Sequence, residues 1–156
     1  MSRQLWFHKM KRCFLLIFEG KIFGVPMVTT KTGWEKFVGP ATLIGELSST
    51  KDLEIGIATR EMVEAHVEGV PDGVINPDLL IRSVSRYGLN SVNSLFQKCL
   101  QMSVEKEAED KYKLTPYARS KNKGTVGAEE LDTILFSNGQ PEELGCAVRK
   151  CISYCR

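Results

Sequence analysis

The chain falls into stretches of two hydrophobic periods. From Cys13 to Phe18 every position is apolar, so both faces of an extended segment are hydrophobic and the pattern predicts a buried strand. Glu19-Gly20-Lys21 predicts a hairpin turn and Ile22 to Val28 its partner strand, with Pro26 pointing to an edge or an irregularity. Lys31 to Pro40, carrying Trp34 and Phe37, predicts a loop or a single helical turn, and Ala41 to Leu47 the next strand. From about Asp52 to Glu68 the period becomes helical: Ile55, Ala58, Thr59, Met62 and His66 form one stripe, flanked by Val63. Gly69-Val70-Pro71-Asp72-Gly73 ends the helix and forms a connector.

Asn76-Pro77-Asp78 predicts the next helix start, with a capping Asn, Pro at the first helical position and an acid in the first turn. Leu80, Val84 and Tyr87 face inward, Gly88 supplies a left-handed exit, and Ser91 caps a short helix carrying Leu95 and Phe96. Cys99 to Lys106 alternates, with Leu100, Met102 and Val104 on one face and Cys99, Gln101, Ser103 and Glu105 on the other. With the return run Lys111 to Pro116 this predicts a hairpin with one wet face. Ala118 to Gly127 is expected to be a mobile loop, Leu131 to Phe136 the final strand, and about Gln140 to Cys155 the last helix. That helix has one apolar stripe: Leu144, Ala147, Val148, Cys151, Ile152 and Cys155.

One stretch occurs twice. Leu47 to Arg60 aligns without a gap on Phe136 to Arg149, placing Glu54, Gly56, Ala58 and Arg60 on Glu143, Gly145, Ala147 and Arg149, with Ile55 on Leu144. Each copy follows a β-rich run, so each is a strand-loop-helix unit. Gly56 and Gly145 are assigned to helix packing, where a residue without a side chain allows close approach. The expected fold is α+β: mixed or antiparallel sheets with packed helices, two strand-loop-helix repeat units in one domain spanning residues 1–156. The half-chains are too short for stable separate domains, and residues 1–12 are expected to be disordered.

A length of 156 residues and an apolar fraction of 42% are ordinary globular values. The formal charge of +2 gives no reason to expect a nucleic-acid or membrane partner. The basic N-terminal segment precedes an apolar run too short for a secretion signal, and no run approaches a transmembrane span. A soluble cytoplasmic protein is the expectation. Five cysteines without a C-x-x-C pair do not form a secreted disulfide framework.

The search for chemistry returns no catalytic signature: no nucleophile elbow, H-E-x-x-H, P-loop or G-x-G-x-x-G. Cys146, Cys151 and Cys155 do not share one helix face, which argues against a common metal ion. His66 lies on an inward stripe, as a satisfied core or boundary histidine does. No catalytic residue, cofactor or metal is expected. Two rival readings are a small cysteine-dependent hydrolase using Cys146 or Cys99 beside His66, and a nucleic-acid-binding regulator using Arg119 to Lys123 near Tyr112 and Tyr117. Glu61, Glu64 and Glu68 recur at steps of three and four on one outer side of the first repeat helix, a surface suited to a basic partner.

From Asn76 onward the order of motifs is specific: a helix ending in Arg86-Tyr87-Gly88, then Ser94 to Cys99, an alternating hairpin closing on Thr115-Pro116, then Pro141-Glu142-Glu143-Leu144-Gly145-Cys146-Ala147-Val148-Arg149 and a final Ser153-Tyr154-Cys155-Arg156. This resembles the immunity proteins of bacterial contact-dependent growth inhibition systems, over most of the chain from about residue 41. The resemblance implies a non-catalytic cytoplasmic protein that binds the C-terminal toxin domain delivered by a neighbouring cell, in many cases a nuclease, and neutralises it. Charge placement, not the resemblance, selects the expected contact residues: Glu61, Glu64, Glu68 and Asp72, with Glu105 and Glu107 second. The slightly basic balance is unusual for an inhibitor of a basic nuclease.

Overall fold

A computed structural model describes residues 10–33, 35–37, 39–71, 78–119 and 128–156. The first half contributes β1 (Lys11–Phe18), β2 (Lys21–Thr30), β3 (Glu35–Phe37), β4 (Thr42–Glu46) and helix α1 (Asp52–Glu64). Strand β5 (Val67–Val70), helix α2 (Asp78–Val84), a 3-10 turn (Ser85–Tyr87) and helix α3 (Val92–Lys98) follow. The second half repeats the opening order with β6 (Leu100–Ala108), β7 (Lys111–Arg119), β8 (Ala128–Glu130), β9 (Leu135–Ser137) and helix α4 (Pro141–Tyr154). The result is an α+β fold in which nine described strands join one sheet and every pair but one is antiparallel.

The repeat extends well beyond the aligned stretch. The offset that carries Gly56 onto Gly145 also carries Lys11 onto Leu100, the first residues of β1 and β6. These two strands pair at the centre of the sheet, where Phe14 faces Ser103. The same offset carries Phe14 onto Ser103, so the halves meet across a pseudo-twofold axis, as the subunits of a symmetric dimer would. On the two sides, β2 and β7 pair outside β1 and β6, and each takes two successive outer neighbours: β4 then β3 on β2, β9 then β8 on β7. Pro26 and Pro116 each sit where the outer neighbour changes, a position that tolerates a residue without an N–H.

Helices α1 and α4 lie on one face of the sheet and cross at their N-terminal turns. Ile55, Val63, Leu144, Val148, Cys151 and Ile152 close this core over Cys13, Leu15, Ile17, Met102 and Leu114. The crossing is made by backbone. A Cβ at Gly56 would stand 1.7 Å from the Pro141 carbonyl oxygen, and one at Gly145 would stand 1.8 Å from that of Asp52. Pro141 is the counterpart of Asp52, so each glycine touches the first helical residue of the other copy. The arginines follow the same rule. Arg60 Nη1 donates to the Gly139 carbonyl at 3.0 Å, and Arg149 Nη2 donates to the Thr50 carbonyl, the counterpart of Gly139, at 2.6 Å. Arg149 also reaches the Leu47 carbonyl at 2.6 Å and pairs with the Asp52 carboxylate at 2.9 Å. The repeated motif is therefore a reciprocal clasp between two helix N-termini and the loops that enter them.

On the opposite face, α2 and α3 pack Leu80, Val84, Leu89, Leu95 and Cys99 over Leu16, Phe23 and Val25. Gly88 leaves the 3-10 turn with φ 88°, and Ser91 Oγ accepts the Ser94 N–H to start α3. This covering corrects the expectation of a wet face on the second hairpin. Gln101 and Ser103 are only 1% and 3% exposed. The Gln101 amide donates to the Phe96 carbonyl, and the Tyr117 hydroxyl, whose ring lies 5.4 Å from that of Phe14, donates to Ser103. Alternation marks the faces correctly; burial of the polar one comes from distant elements.

Three boundaries also differ. The first repeat helix ends at Glu64, and Val67–Val70 instead forms β5, parallel to the end of β2. Within Lys31 to Pro40 there is a short strand, β3, in place of a helical turn. The last strand is Leu135–Ser137, shorter and later than expected. Residues 1–9, the Asn76-Pro77 helix start and most of the 118–127 loop lie outside the described residues; Ala118 and Arg119 belong to β7.

Candidate partner-binding surface

The carboxylates singled out by charge do not form one helix face. Glu61 is exposed on α1, with no ion pair among the described residues. Glu64, also on α1, is held by Lys11 of β1 at 2.5 Å and Lys106 of β6 at 2.9 Å. Its carboxyl lies below the usual carboxylate range because Lys106, and then Lys11, donate hydrogen bonds to the charged form. Glu68 is half-buried on β5 rather than on the helix, and Asp72 lies outside the described residues. Glu105 is half-buried on β6 opposite Arg12, and Glu107 pairs with Lys111 at 3.3 Å. The structure thus links Glu64 to the β6 hairpin through Lys106, which also pairs with Glu109 at 3.5 Å. This end of the sheet is a mixed-charge network, and Glu61 stands apart as the free acid on α1.

Charge placement overlooks the apolar part of that same helix face. Leu53 and Ile57 are 48% and 44% exposed, one turn apart on α1. Their counterparts on α4, Glu142 and Cys146, are exposed and not aliphatic. The two helices meet the same packing demands, and α4 shows that polar or small residues satisfy the fold at these positions. The signal was available in the sequence, in the mismatched positions of the repeat. On the second half, Ile134 and Phe136 are also exposed, with Lys111 Nζ 4.8 Å from the Phe136 ring centre.

Of the groups considered for catalysis, Cys146 is exposed on α4, while His66 and Cys99 are buried elsewhere. His66 is buried: its Nδ1 lies 3.1 Å from the Arg12 amide nitrogen and 3.3 Å from the Arg12 carbonyl oxygen, and its Nε2 meets Thr29 Oγ1 at 2.7 Å. Burial pushes the Cys99 thiol up to about 12, the reverse of nucleophile activation. Among the described residues no cluster of three His, Cys, Asp or Glu side chains is placed to hold a metal ion. No helix among them is long and apolar enough to cross a membrane.

No protein-family model matches the chain, and no curated protein matches it. Solved structures do. The protein of unknown function NMB0488 from Neisseria meningitidis is similar with a TM-score of 0.72 at 13% identity, over 94% of this chain and 96% of that one. A chain of the CdiA-CT/CdiI toxin and immunity complex from Yersinia pseudotuberculosis is similar with a TM-score of 0.71 at 14% identity, over 96% of this chain and 99% of that one. At these identities the likeness is one of fold, and it takes in both halves of the clasped sheet and the helices between them.

Proposed function

We propose that this chain is an immunity protein of a contact-dependent growth inhibition system. It binds the C-terminal toxin domain, a nuclease, in the cytoplasm and neutralises it by covering the active site, acting as one domain without chemistry of its own. The observation that carries this reading is the near full-length fold likeness to a chain of a toxin and immunity complex. The reciprocal clasp supports it too, since backbone contacts and arginine hydrogen bonds hold α1 against α4 and fix where the outer face of α1 stands.

In this reading the contact surface is the outer face of α1. Leu53 and Ile57 provide apolar anchors and Glu61 a free carboxylate, the combination of buried centre and polar rim that specific interfaces use. Glu68, Asp72, Glu105 and Glu107 are secondary contacts. Glu64 contributes less than its charge suggests, because two lysines already neutralise it. An interface of this kind buries about 1,200–2,000 Å² in total.

The test is a pull-down of the tagged chain against the toxin domain encoded immediately upstream, paired with growth rescue of cells producing that toxin. Tight binding with rescue confined to that toxin is the expected result. A folded chain that neither binds nor rescues overturns the proposal for that pair.

A further inference from the structure

The loop that enters α4 carries Asn138-Gly139, the only Asn-Gly pair in the chain. The clasp does not require it. The counterparts in the first copy are Ser49 and Thr50, and the Thr50 carbonyl accepts from Arg149 just as the Gly139 carbonyl accepts from Arg60. The two copies also use the glutamate that follows differently. In the first, Glu54 accepts the Lys51 N–H at 3.4 Å. In the second, Asn138 Oδ1 accepts the equivalent N–H, that of Gln140, at 2.9 Å, and Glu143 instead accepts a hydrogen bond from Asn138 Nδ2.

A glycine after an asparagine has no side chain to shield its nitrogen or to restrict the backbone, so that nitrogen can close on the asparagine side-chain amide. Four features of this loop favour the closure. Asn138 and Glu143 are both exposed to water. The Gly139 N–H makes no hydrogen bond among the described residues, so the attacking nitrogen is not held by another group. The ring closed by the bond from Gln140 to Asn138 contains both Asn138 Cγ and the Gly139 nitrogen, which folds the side chain back over the peptide that follows it. The Gln140 N–H is also aimed at Oδ1, the oxygen on which negative charge gathers during the attack.

We propose that Asn138-Gly139 is a self-modifying site. There the folded protein converts asparagine to aspartate and isoaspartate, with water as the co-reactant, and slackens the Arg60 arm of the clasp. The Gly139 nitrogen attacks Asn138 Cγ and the N–C bond forms. The proton it loses passes by way of water and the Glu143 carboxylate to Nδ2, which Glu143 already contacts. The Cγ–Nδ2 bond breaks and ammonia leaves. Water then opens the cyclic imide. Attack at Cγ gives aspartate; attack at the Asn138 main-chain carbonyl carbon gives isoaspartate. Nothing is oxidised or reduced.

The product acts on the clasp. Isoaspartate routes the main chain through the former side chain and inserts a methylene ahead of Gly139, whose carbonyl receives Arg60 at 3.0 Å. Either product also exchanges the amide that donated to Glu143 for a second carboxylate, setting like charges side by side. The Arg149 arm, built on Ser49 and Thr50, has no such pair and keeps its bonds.

The experiment incubates the full chain in neutral buffer, with circular dichroism confirming the fold throughout, beside the same chain held in urea. Trypsin releases Gly124 to Arg149 as one peptide. In the folded sample this peptide is expected to exchange NH2 for OH, and to become a substrate for isoaspartyl methyltransferase, at least as fast as in urea. Asn90 and Asn93, also exposed but followed by serine, are expected to lag behind it. Glu143→Gln is expected to slow the conversion about tenfold, less than a desolvated base supplies, because Glu143 is exposed. The aged fraction, separated by its added negative charge, is expected to unfold at lower urea than the fresh chain, and Arg60→Met to remove that difference. Slower conversion in the folded chain than in urea, modification of Asn90 or Asn93 first, a rate untouched by Glu143→Gln, or an aged chain with an unchanged urea midpoint would overturn the proposal. The wild-type comparisons decide it even if a variant does not fold.

Discussion

A single methyl group decides whether α1 and α4 can meet. The atoms that a side chain at Gly56 or Gly145 would strike are backbone carbonyls, at 1.7 Å and 1.8 Å. They cannot rotate away, so the helices themselves must separate. Gly56→Ala and Gly145→Ala are each expected to destabilise the fold by about 3 kcal/mol or more in urea unfolding. The double variant should lose less than the sum, because the first substitution already opens the crossing. Equal and additive small losses would mean that the helices are not in backbone contact. Thr59 makes the opposite case at the same helix. It is fully buried, its hydroxyl has no hydrogen-bond partner among the described residues, and its counterpart on α4 is Val148. Thr59→Val removes an unsatisfied group at nearly constant shape, and is expected to stabilise by about 1 kcal/mol. A lower urea midpoint for this variant would show that the hydroxyl is satisfied.

At the level of elements, the two arginines of the clasp are related by symmetry but unequal in what they hold. Arg60 donates to one carbonyl, while Arg149 joins two carbonyls and a carboxylate of the loop and first turn entering α1. With Arg149 about one third exposed, Arg149→Met is expected to cost about 2 kcal/mol and Arg60→Met about 1 kcal/mol; a reversed order in thermal or urea unfolding would contradict the geometry. Glu64 ties α1 to β1 and β6. Its folded pKa is depressed below 4.5, so its contribution is present above that value and is lost as pH falls through the folded pKa. Glu64→Gln should flatten the stability profile between about pH 5 and the acid limit, by a small amount given the exposure of the pair. The helices, turns and central strands were legible because their signals are local: the Ser91 cap, the proline start of α4, the repeated Gly and Arg. The end of α1 was not. Helical spacing runs on to His66 and Glu68, but the edge of β2 beyond Pro26, opposite β3 and past the end of the β1 pairing, takes Val67–Val70 as a strand, and sequence spacing carries no information about that vacant edge.

For the whole molecule, duplication is the organising fact, and it separates what the fold requires from what it does not. Positions shared by both copies, such as Gly56 and Gly145 or Arg60 and Arg149, serve the clasp. Positions that differ while remaining exposed are free for another use. Glu61 and Glu64 both differ from their counterparts, Lys150 and Ser153, but Glu64 is already engaged, and the lysines that neutralise it stand far from it in the chain, at Lys11 and Lys106. Leu53 and Ile57 went unremarked because a pair of aliphatic residues on a helix reads as core until the other copy shows Glu142 and Cys146 in their places. This gives a prediction that divides stability from binding. In Leu53→Ala/Ile57→Ala the helix-forming tendency is kept and little buried surface is lost, so unfolding should shift by about 1 kcal/mol or less. Truncating two central anchors of an interface typically costs at least about 2 kcal/mol, a loss of some thirtyfold in affinity. Titration of the toxin domain against the folded variant, judged by circular dichroism, separates the cases. Weakened binding with an unchanged urea midpoint places the toxin on α1. Unchanged binding moves the contact elsewhere, first to the exposed Ile134 and Phe136 of the second half, and leaves Leu53 and Ile57 without a role that the fold can explain.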